Sequence, residues 1–323
     1  MTTTYGMSDA EMLERMTVYR EGLFEDMVVL VSGGGSGLGK ATAILFARLG
    51  AKIIVCGRDQ EKLSSVSQLF KDNGLPIDTH AMTIRDADAV DRMMSEIWDK
   101  HGRLDVLVNN AGGQYAQPAA ELSVKGWQAV VDTNLNGTWY MSQAAAKQWI
   151  ANNQPGSVVN VVADIWRGLP QMAHTAAARA GVIYMTKTVA VEWAPHNIRV
   201  NCMAPGCCES SAFGRYSDEG RNTFWHSNPM RRAGDEWDVA ESIIYLSGPS
   251  GKFITGEVIT VDGGQQLWGD PWPAGRPQYF EHDYAGTRYP GVKCPAHSLC
   301  CALSAHSRLI GRLVSLLVKY RQV

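Results

Sequence analysis

Hydrophobic positions in this chain come as short apolar runs separated by longer stretches of helical periodicity. The runs predict strands near 27–33, 51–57, 77–83, 103–109, 156–162, 197–204 and 254–262, with helical patterns between them. Unbroken apolar runs such as Met27 to Val31 mark strands covered on both faces, and strand alternating with helix predicts a parallel sheet sandwiched between helical layers. In such a sheet, ligands bind outside the carboxyl ends of the strands, where strand order reverses. Gly33–Gly39, Asn109–Gly112, Asn160–Trp166 and Pro205–Ser211 all fall at that edge. Ahead of the first strand, Ser8 to Arg20 predicts a short helix with no chemistry of its own.

The first strand runs into Ser32-Gly33-Gly34-Gly35-Ser36-Gly37-Leu38-Gly39, followed by an apolar helical pattern from Ala41 to Leu49. Strand, glycine turn and helix in that order form an anion cradle. Glycines let the backbone approach a pyrophosphate, and the helix N-terminus aims unpaired N–H groups at it.

The spacing G-x-x-x-G-x-G, from Gly33 through Gly37 to Gly39, resembles the short-chain dehydrogenase/reductase family. Further motifs of that family follow in order: Asn109-Asn110-Ala111-Gly112 ending an apolar strand, Asn134 in T-N-L-N-G-T, Pro205-Gly206 after Val200 to Ala204, and Asp262-Gly263-Gly264 closing the last strand. The resemblance covers about residues 22–268. It implies an α/β fold: a single Rossmann-type, doubly wound parallel sheet of about seven strands with helices on both faces, binding NAD or NADP. Residues 1–21 and 269–323 are then N- and C-terminal extensions. Cofactor contacts are expected from Gly33, Gly35, Ser36, Gly37, Leu38, Gly39, Asn110, Ala111, Gly112, Arg179, Pro205, Gly206 and Ser210, where Ser210 replaces the family threonine that holds the carboxamide.

Composition agrees. The 323 residues are 45% hydrophobic, ample for a large core. A formal net charge of −2 argues against nucleic acid as the main partner. The seven cysteines form no C-x-x-C metal or redox pattern, so no metal is expected. With no secretory signal near Met1 and no apolar stretch of membrane-span length, a cytoplasmic protein with reduced cysteines and no firm membrane association is expected. Ser307-Arg308-Leu309 resembles a peroxisomal address, consistent with a peroxisomal alternative drawn from the family, but this chain ends at Gln322-Val323.

After the second strand, Gly57 and Arg58 stand where an acidic residue would accept the ribose hydroxyls of NAD. A guanidinium there pairs with a 2′-phosphate, which favours NADP(H). Thr83 stands where the family commonly has an aspartate near the adenine.

Aligning Arg179-Ala180-Gly181-Val182 with the family's K-A-G-V places Ala163 at its catalytic serine, Thr175 at its tyrosine and Arg179 at its lysine. An aliphatic hydroxyl titrates far above operating pH, and arginine stays protonated, so ketone–alcohol interconversion is the chemistry supported least. Reduction of a C=C bond conjugated to a thioester needs an oxyanion stabilised instead, and Thr175 is the expected donor. Asp164 and His174 are the candidate replacement acids, and Asn134 is a structural organiser. The motifs around Asn109–Gln114, Lys125–Trp127, His174–Val182 and Glu192–Ala194 resemble the peroxisomal trans-2-enoyl-CoA reductase branch and its dienoyl-CoA reductase neighbours. Val162-Ala163-Asp164-Ile165-Trp166 is shared with bacterial citronellol or citronellal dehydrogenases. The substrate is therefore expected to be a small molecule, an acyl-CoA or else a terpenoid alcohol or aldehyde; a non-catalytic NADP-binding sensor or scaffold is the reading of another class.

Substrate contacts are expected from Cys207 to Arg232, with Trp166, Phe213 and Trp225 as candidate apolar lining and Arg215, Arg221, Arg231 and Arg232 as candidates for coenzyme A phosphates. The Pro/Gly-rich, aromatic stretch from Gly269 to Gly291 reads as an extended segment laid over a surface. Arg308 to Arg321 reads as a basic amphipathic or packing helix. The family resemblance implies a homo-dimer or homo-tetramer built through the helices after the fourth and fifth strands.

Overall fold

The computed structural model describes residues 5–224, 226–268 and Gly275. Trp225 and the expectations placed on the C-terminal extension lie outside the described residues.

All seven expected strands form: β1 (Val28–Ser32), β2 (Lys52–Gly57), β3 (Ile77–Ala81), β4 (Val106–Asn109), β5 (Gly156–Val161), β6 (Ile198–Pro205) and β7 (Val258–Val261). They make one parallel sheet in the order β3-β2-β1-β4-β5-β6-β7. The chain winds outward from β1 to β3, then returns to place β4 on the other side of β1, so the order reverses between β1 and β4. Ser32 pairs with Asn109 across that reversal.

The helices are α1 (Asp9–Glu14), α2 (Gly37–Arg48), α3 (Gln60–Asp72), α4 (Ala87–His101), α5 (Val124–Val131), α6 (Gly137–Ala151), α7 (Ala173–Trp193), α8 (Asp218–Phe224) and α9 (Glu236–Ser247). Every β1 residue is buried because the sheet is covered on both faces. Val29 and Val31 join a core with Ile44, Phe46, Ile243 and Ile244, while Val28 and Leu30 face a second core with Met94, Met141 and Trp149. Period-two alternation thus divides one apolar run between two layers, each buried side chain contributing roughly 1.5–3 kcal/mol.

Helix starts follow local capping chemistry. Asp59, Asp86 and Ser123 accept hydrogen bonds from Lys62 N (3.2 Å), Ala89 N (3.0 Å) and Gly126 N (3.1 Å), opening α3, α4 and α5. Asp235 and Asp238 form a reciprocal capping box on α9. Ser36, ahead of α2, makes no side-chain cap. Asn136 ahead of α6 and Met172 ahead of α7 make none either.

The strand expected over 254–262 is shorter, because the Asn201 side chain takes over the ladder: its Nδ2 donates to Ile254 O (2.8 Å) and its Oδ1 accepts from Glu257 N (3.1 Å). The N-terminal helix is also shorter than the expected 8–20. Past Arg15 the chain turns extended, and Met16 and Val18 are exposed, so nothing drives a longer amphipathic face. Even so, residues 5–21 are packed onto the sheet domain: Met12 is buried and its carbonyl accepts from Arg48 Nη1 (3.0 Å). Among the described residues, no helix is long and apolar enough to cross a membrane.

Candidate active site

A cleft of about 1070 Å³ opens at the carboxyl edge of the sheet, over the reversal between β1 and β4. Gly33, Gly35, Ser36, Gly37 and Leu38 form one wall, with Asn110, Ala111 and Gly112 beside them. The two strand ends are tied together. Ser32 Oγ accepts from Asn110 N (3.1 Å) and Ala111 N (3.0 Å), and Asn110 Nδ2 donates to Ser32 O (3.0 Å). Gly39 stands behind this wall. A Cβ there would lie 2.4 Å from Gly33 O, so only glycine lets α2 start this close to the turn. The uncapped N-terminus of α2 leaves its first N–H groups facing the cradle, as a bound pyrophosphate requires. Apart from Gly39, every residue expected to contact cofactor lines the cleft, including Arg58, Arg179, Pro205, Gly206 and Ser210.

At the end near β2, the lining comprises Gly57, Arg58, Asp59 and Lys62, with Met82, Thr83 and Ile84 opposite. Lys62 reaches this wall because α3 begins at Gln60; its Cβ stands 3.2 Å from where a Gly35 Cβ would be. Its ammonium pairs with Asp59 at 3.4 Å, half-exposed. No local sequence signal marks Lys62, since a charged residue in the first turn of a helix is normally a solvated one.

The far end holds Arg179 and Asp164. A π-helical turn, Asp132–Asn136, separates α5 from α6 and places Asn134 inward. Asn134 Oδ1 accepts from Gly113 N (2.9 Å) and its Nδ2 donates to Gly113 O (3.0 Å), so one side chain satisfies both groups of a loop peptide. Asn134 itself does not line the cleft. Below, a buried chain of hydrogen bonds joins Ser142, Asn109, Asn160, Thr186 and Cys202. It fixes β4, β5 and β6 to one another.

Arg179, on α7, is nine-tenths buried and lines the cleft; its Nη1 donates to Val161 O (2.6 Å). Burial lowers its pKa to about 10, which leaves it charged at neutral pH. Asp164 also lines the cleft. Its N–H donates to Pro205 O (2.9 Å) and its Oδ2 accepts from Gln265 Nε2 (2.9 Å). Burial, followed by the charge of Asp262, pushes the Asp164 carboxyl above the usual range.

Two expectations need correction. Thr175 and His174 are fully buried and do not line the cleft. The Thr175 Oγ1 has no hydrogen-bond partner, and its backbone N–H donates to His174 Nδ1 (2.8 Å). With Nδ1 accepting, the imidazole carries its proton on Nε2; burial holds its pKa below the usual value, and the ring packs edge to face on Tyr115 at 4.8 Å. Thr175 and Arg179 share a helix face, but a threonine hydroxyl sits one bond beyond its Cβ and stops behind the wall that the arginine crosses.

Tyr115 and Tyr216 both line the cleft. Gln114 Nε2 donates to Tyr216 Oη at 3.0 Å, and burial raises the Tyr216 pKa. Among the substrate-loop arginines, Arg215 lines the cleft, whereas Arg221 is bound to Asp218 and Arg232 to Asp238 (2.7 Å). Phe213 is buried against Tyr5 and Phe224 rather than exposed to the cleft. Trp166 faces outward, its Nε1 3.4 Å from Thr260 Oγ1. Phe224 supplies the aromatic lining instead.

A glycine cradle at the switch point of a doubly wound parallel sheet is the geometry of a dinucleotide-binding site. The profile described as enoyl-(acyl carrier protein) reductase matches residues 33–266. A probable 2,4-dienoyl-CoA reductase of Bacillus subtilis is 37% identical over 254 residues, covering 77% of this chain and 99% of that protein. A 3-oxoacyl-[acyl-carrier-protein] reductase of Thermotoga maritima is 37% identical over 244 residues, covering 74% and 98%. The solved structure of a citronellol catabolism dehydrogenase from Pseudomonas aeruginosa superimposes with a TM-score of 0.70 at 36% identity, covering 78% of this chain and 99% of that one. The chain belongs to the short-chain dehydrogenase/reductase family.

Proposed function

We propose that this chain is an NADPH-dependent reductase of the carbon–carbon double bond of an enoyl or dienoyl thioester, with an acyl-CoA as substrate. The observation that carries the reading is the reaction end of the cleft. Thr175 and Ala163 occupy the positions at which carbonyl reductases of the family place their tyrosine and serine. The cleft instead presents the buried Asp164, whose pKa is raised, and the fixed charge of Arg179. The dienoyl-CoA reductase likeness points the same way.

NADPH, when bound, supplies hydride to the β carbon of the enoyl group. The resulting pair of electrons moves to the thioester oxygen as an enolate, and returns when a proton reaches the α carbon. In a dienoyl thioester the hydride would instead reach the δ carbon, the electron pair running through both conjugated bonds to the thioester oxygen before a proton reaches the α carbon. Asp164 gives the proton: burial and the charge of Asp262 raise its pKa above that of an exposed aspartate, and Gln265 fixes its orientation. Arg179 holds the nicotinamide ribose and adds positive charge near the developing enolate without exchanging its own proton. Asn134 keeps the Gly112–Gly113 loop in place. Arg58 and Lys62 receive the 2′-phosphate, and Ser210 the carboxamide.

Citronellol or citronellal oxidoreduction is the second reading, favoured by the Pseudomonas structure. A panel of crotonyl-CoA, 2,4-hexadienoyl-CoA and citronellal, followed by NADPH absorbance, separates the readings. Oxidation of NADPH with either thioester and not with citronellal is the expected result; the reverse would transfer the assignment to the terpenoid, and no oxidation with any would leave a binding protein.

We place the catalytic unit at 22–268 and self-association, as a dimer or tetramer, on α5 to α7, where Val124, Trp127, Tyr184 and Val191 are exposed apolar residues. A cytoplasmic location fits the reduced, buried Cys56 and Cys202.

A further inference from the structure

We infer that Tyr216 is the hydrogen-bond donor to the enolate oxygen, held for that role by Gln114. The inference rests on the thioester-reductase reading above. A vacancy creates the need for such a donor: the Thr175 hydroxyl is sealed behind the cleft wall, and Ala163 carries no hydroxyl. Tyr216 lies in the cleft, and its phenol oxygen already accepts from Gln114 Nε2 at 3.0 Å. A phenol has one hydrogen to give. With the oxygen's accepting side occupied by an amide, that hydrogen is directed away from Gln114.

Both partners are held. Gln114 follows Gly113, whose N–H and C=O are both bound by Asn134, so the amide projects from a peptide fixed at 2.9 and 3.0 Å. The Tyr216 ring packs on Phe224 at 5.3 Å and on Phe213 at 6.5 Å, and its carbonyl accepts from Arg221 Nη1. Burial raises the phenol's pKa, so it remains a protonated donor across the neutral range and does not compete with Asp164 as the acid. Tyr216 and Asp164 serve one site: Cys207 also lines the cleft and lies within electrostatic range of both. An enolate between them meets an O–H on the substrate-loop side and a carboxylic acid on the β5 side. Donor and acid are thereby separate groups, unlike a single tyrosine serving both ends of a carbonyl reduction.

The test compares wild type with Tyr216→Phe and Gln114→Met by two measurements: turnover of crotonyl-CoA and 2,4-hexadienoyl-CoA with NADPH, and the ultraviolet enolate band of acetoacetyl-CoA bound to the protein with NADP+. Tyr216→Phe keeps the ring packing and removes one O–H. It is expected to lower kcat roughly 100-fold, as loss of one preorganised oxyanion donor does, with NADPH affinity unchanged. Its enolate band should weaken in parallel. Gln114→Met should lower kcat less, and the double variant should be no worse than Tyr216→Phe, because the amide acts through the phenol. If the thioesters turn over and Tyr216→Phe matches wild type in kcat and in the enolate band, Tyr216 is not the donor while the thioester reading stands. Absence of both thioester turnover and an enolate band in wild type would overturn the two together.

Discussion

The Arg179 guanidinium occupies the space that a side chain on Gly112 would need: a Cβ at Gly112 would lie 2.4 Å from Arg179 Nη2. The cofactor wall and the charge beside the reaction end are therefore one steric unit. Gly112→Ala should displace the guanidinium and cost its hydrogen bonds to ribose. Loss of a charged hydrogen bond is on the order of 1.5–3 kcal/mol, so the NADPH dissociation constant should rise about tenfold or more. Combining Gly112→Ala with Arg179→Lys, whose slimmer ammonium leaves room for a methyl group, should cost less than the sum of the two. Full additivity in a fluorescence titration with NADPH would show that the two positions do not share this space.

Asp164 links chemistry to pH. Its carboxyl is raised by burial and by Asp262, so the folded protein binds this proton more tightly than the unfolded chain does. The stability it contributes is present in full below the ordinary aspartate pKa and is lost as pH rises through the raised folded value. As a general acid, its protonated fraction falls over that same rise, so kcat for thioester reduction should decline toward alkaline pH. Asp164→Asn should lower kcat by about 100-fold, flatten this limb of the profile and raise Tm at pH 8, since a buried charge is removed while Gln265 keeps an acceptor. A variant retaining the wild-type pH profile would exclude Asp164 as the acid.

The frame was legible in the sequence because burial on both faces writes unbroken apolar runs, as in Met27 to Val31, and because a glycine turn needs local residues only. Contacts across the cleft leave no such trace. Tyr216 meets Gln114 from 102 positions away, and Gln265 meets Asp164 from 101, so neither pair disturbs any local period. Thr175 shows a different limit. Motif spacing places it one turn before Arg179, but only packing reveals that its short side chain ends behind the wall.

Cofactor preference should depend on Arg58 and Lys62 together. Both line the end of the cleft beyond β2, where Gly57 supplies no carboxylate to repel a phosphate. A 2′-phosphate gains charge-assisted hydrogen bonds there, each about 1.5–3 kcal/mol. Arg58→Asp should weaken NADPH roughly 10- to 100-fold and leave NADH little changed, and Lys62→Ala should do the same more mildly because Asp59 already holds part of its charge. Parallel titrations with both cofactors at two salt concentrations check this: only the NADPH affinity of wild type should fall steeply with salt. Equal affinity of wild type for the two dinucleotides would refute the assignment.

The N-terminal segment should govern the substrate loop. Tyr5 packs edge to face on Phe213 at 5.3 Å and lies 5.0 Å beneath the Arg221 guanidinium, so it braces the same aromatic group that holds Tyr216. Two backbone hydrogen bonds anchor it: Gly6 N to Glu209 Oε1 (3.3 Å) and Met7 N to Glu236 Oε2 (3.1 Å). Gly6 adopts φ +82°, and a Cβ there would lie 2.3 Å from Glu236 Oε1 and 2.9 Å from the Ser210 backbone. Gly6→Val must therefore lift the segment or strain it by about 1–3 kcal/mol. The segment meets the loop at the Ser210 backbone and reaches α2 through the Asp9–Lys40 ion pair, so the expected result is a several-fold higher KM for the thioester with a smaller loss of NADPH affinity, together with faster amide exchange at 209–216. Tyr5→Ala should reproduce the exchange change at smaller cost, since it removes the brace but keeps the anchors. Exchange rates at 209–216 indifferent to both substitutions would separate the segment from the loop and confine it to packing against α9.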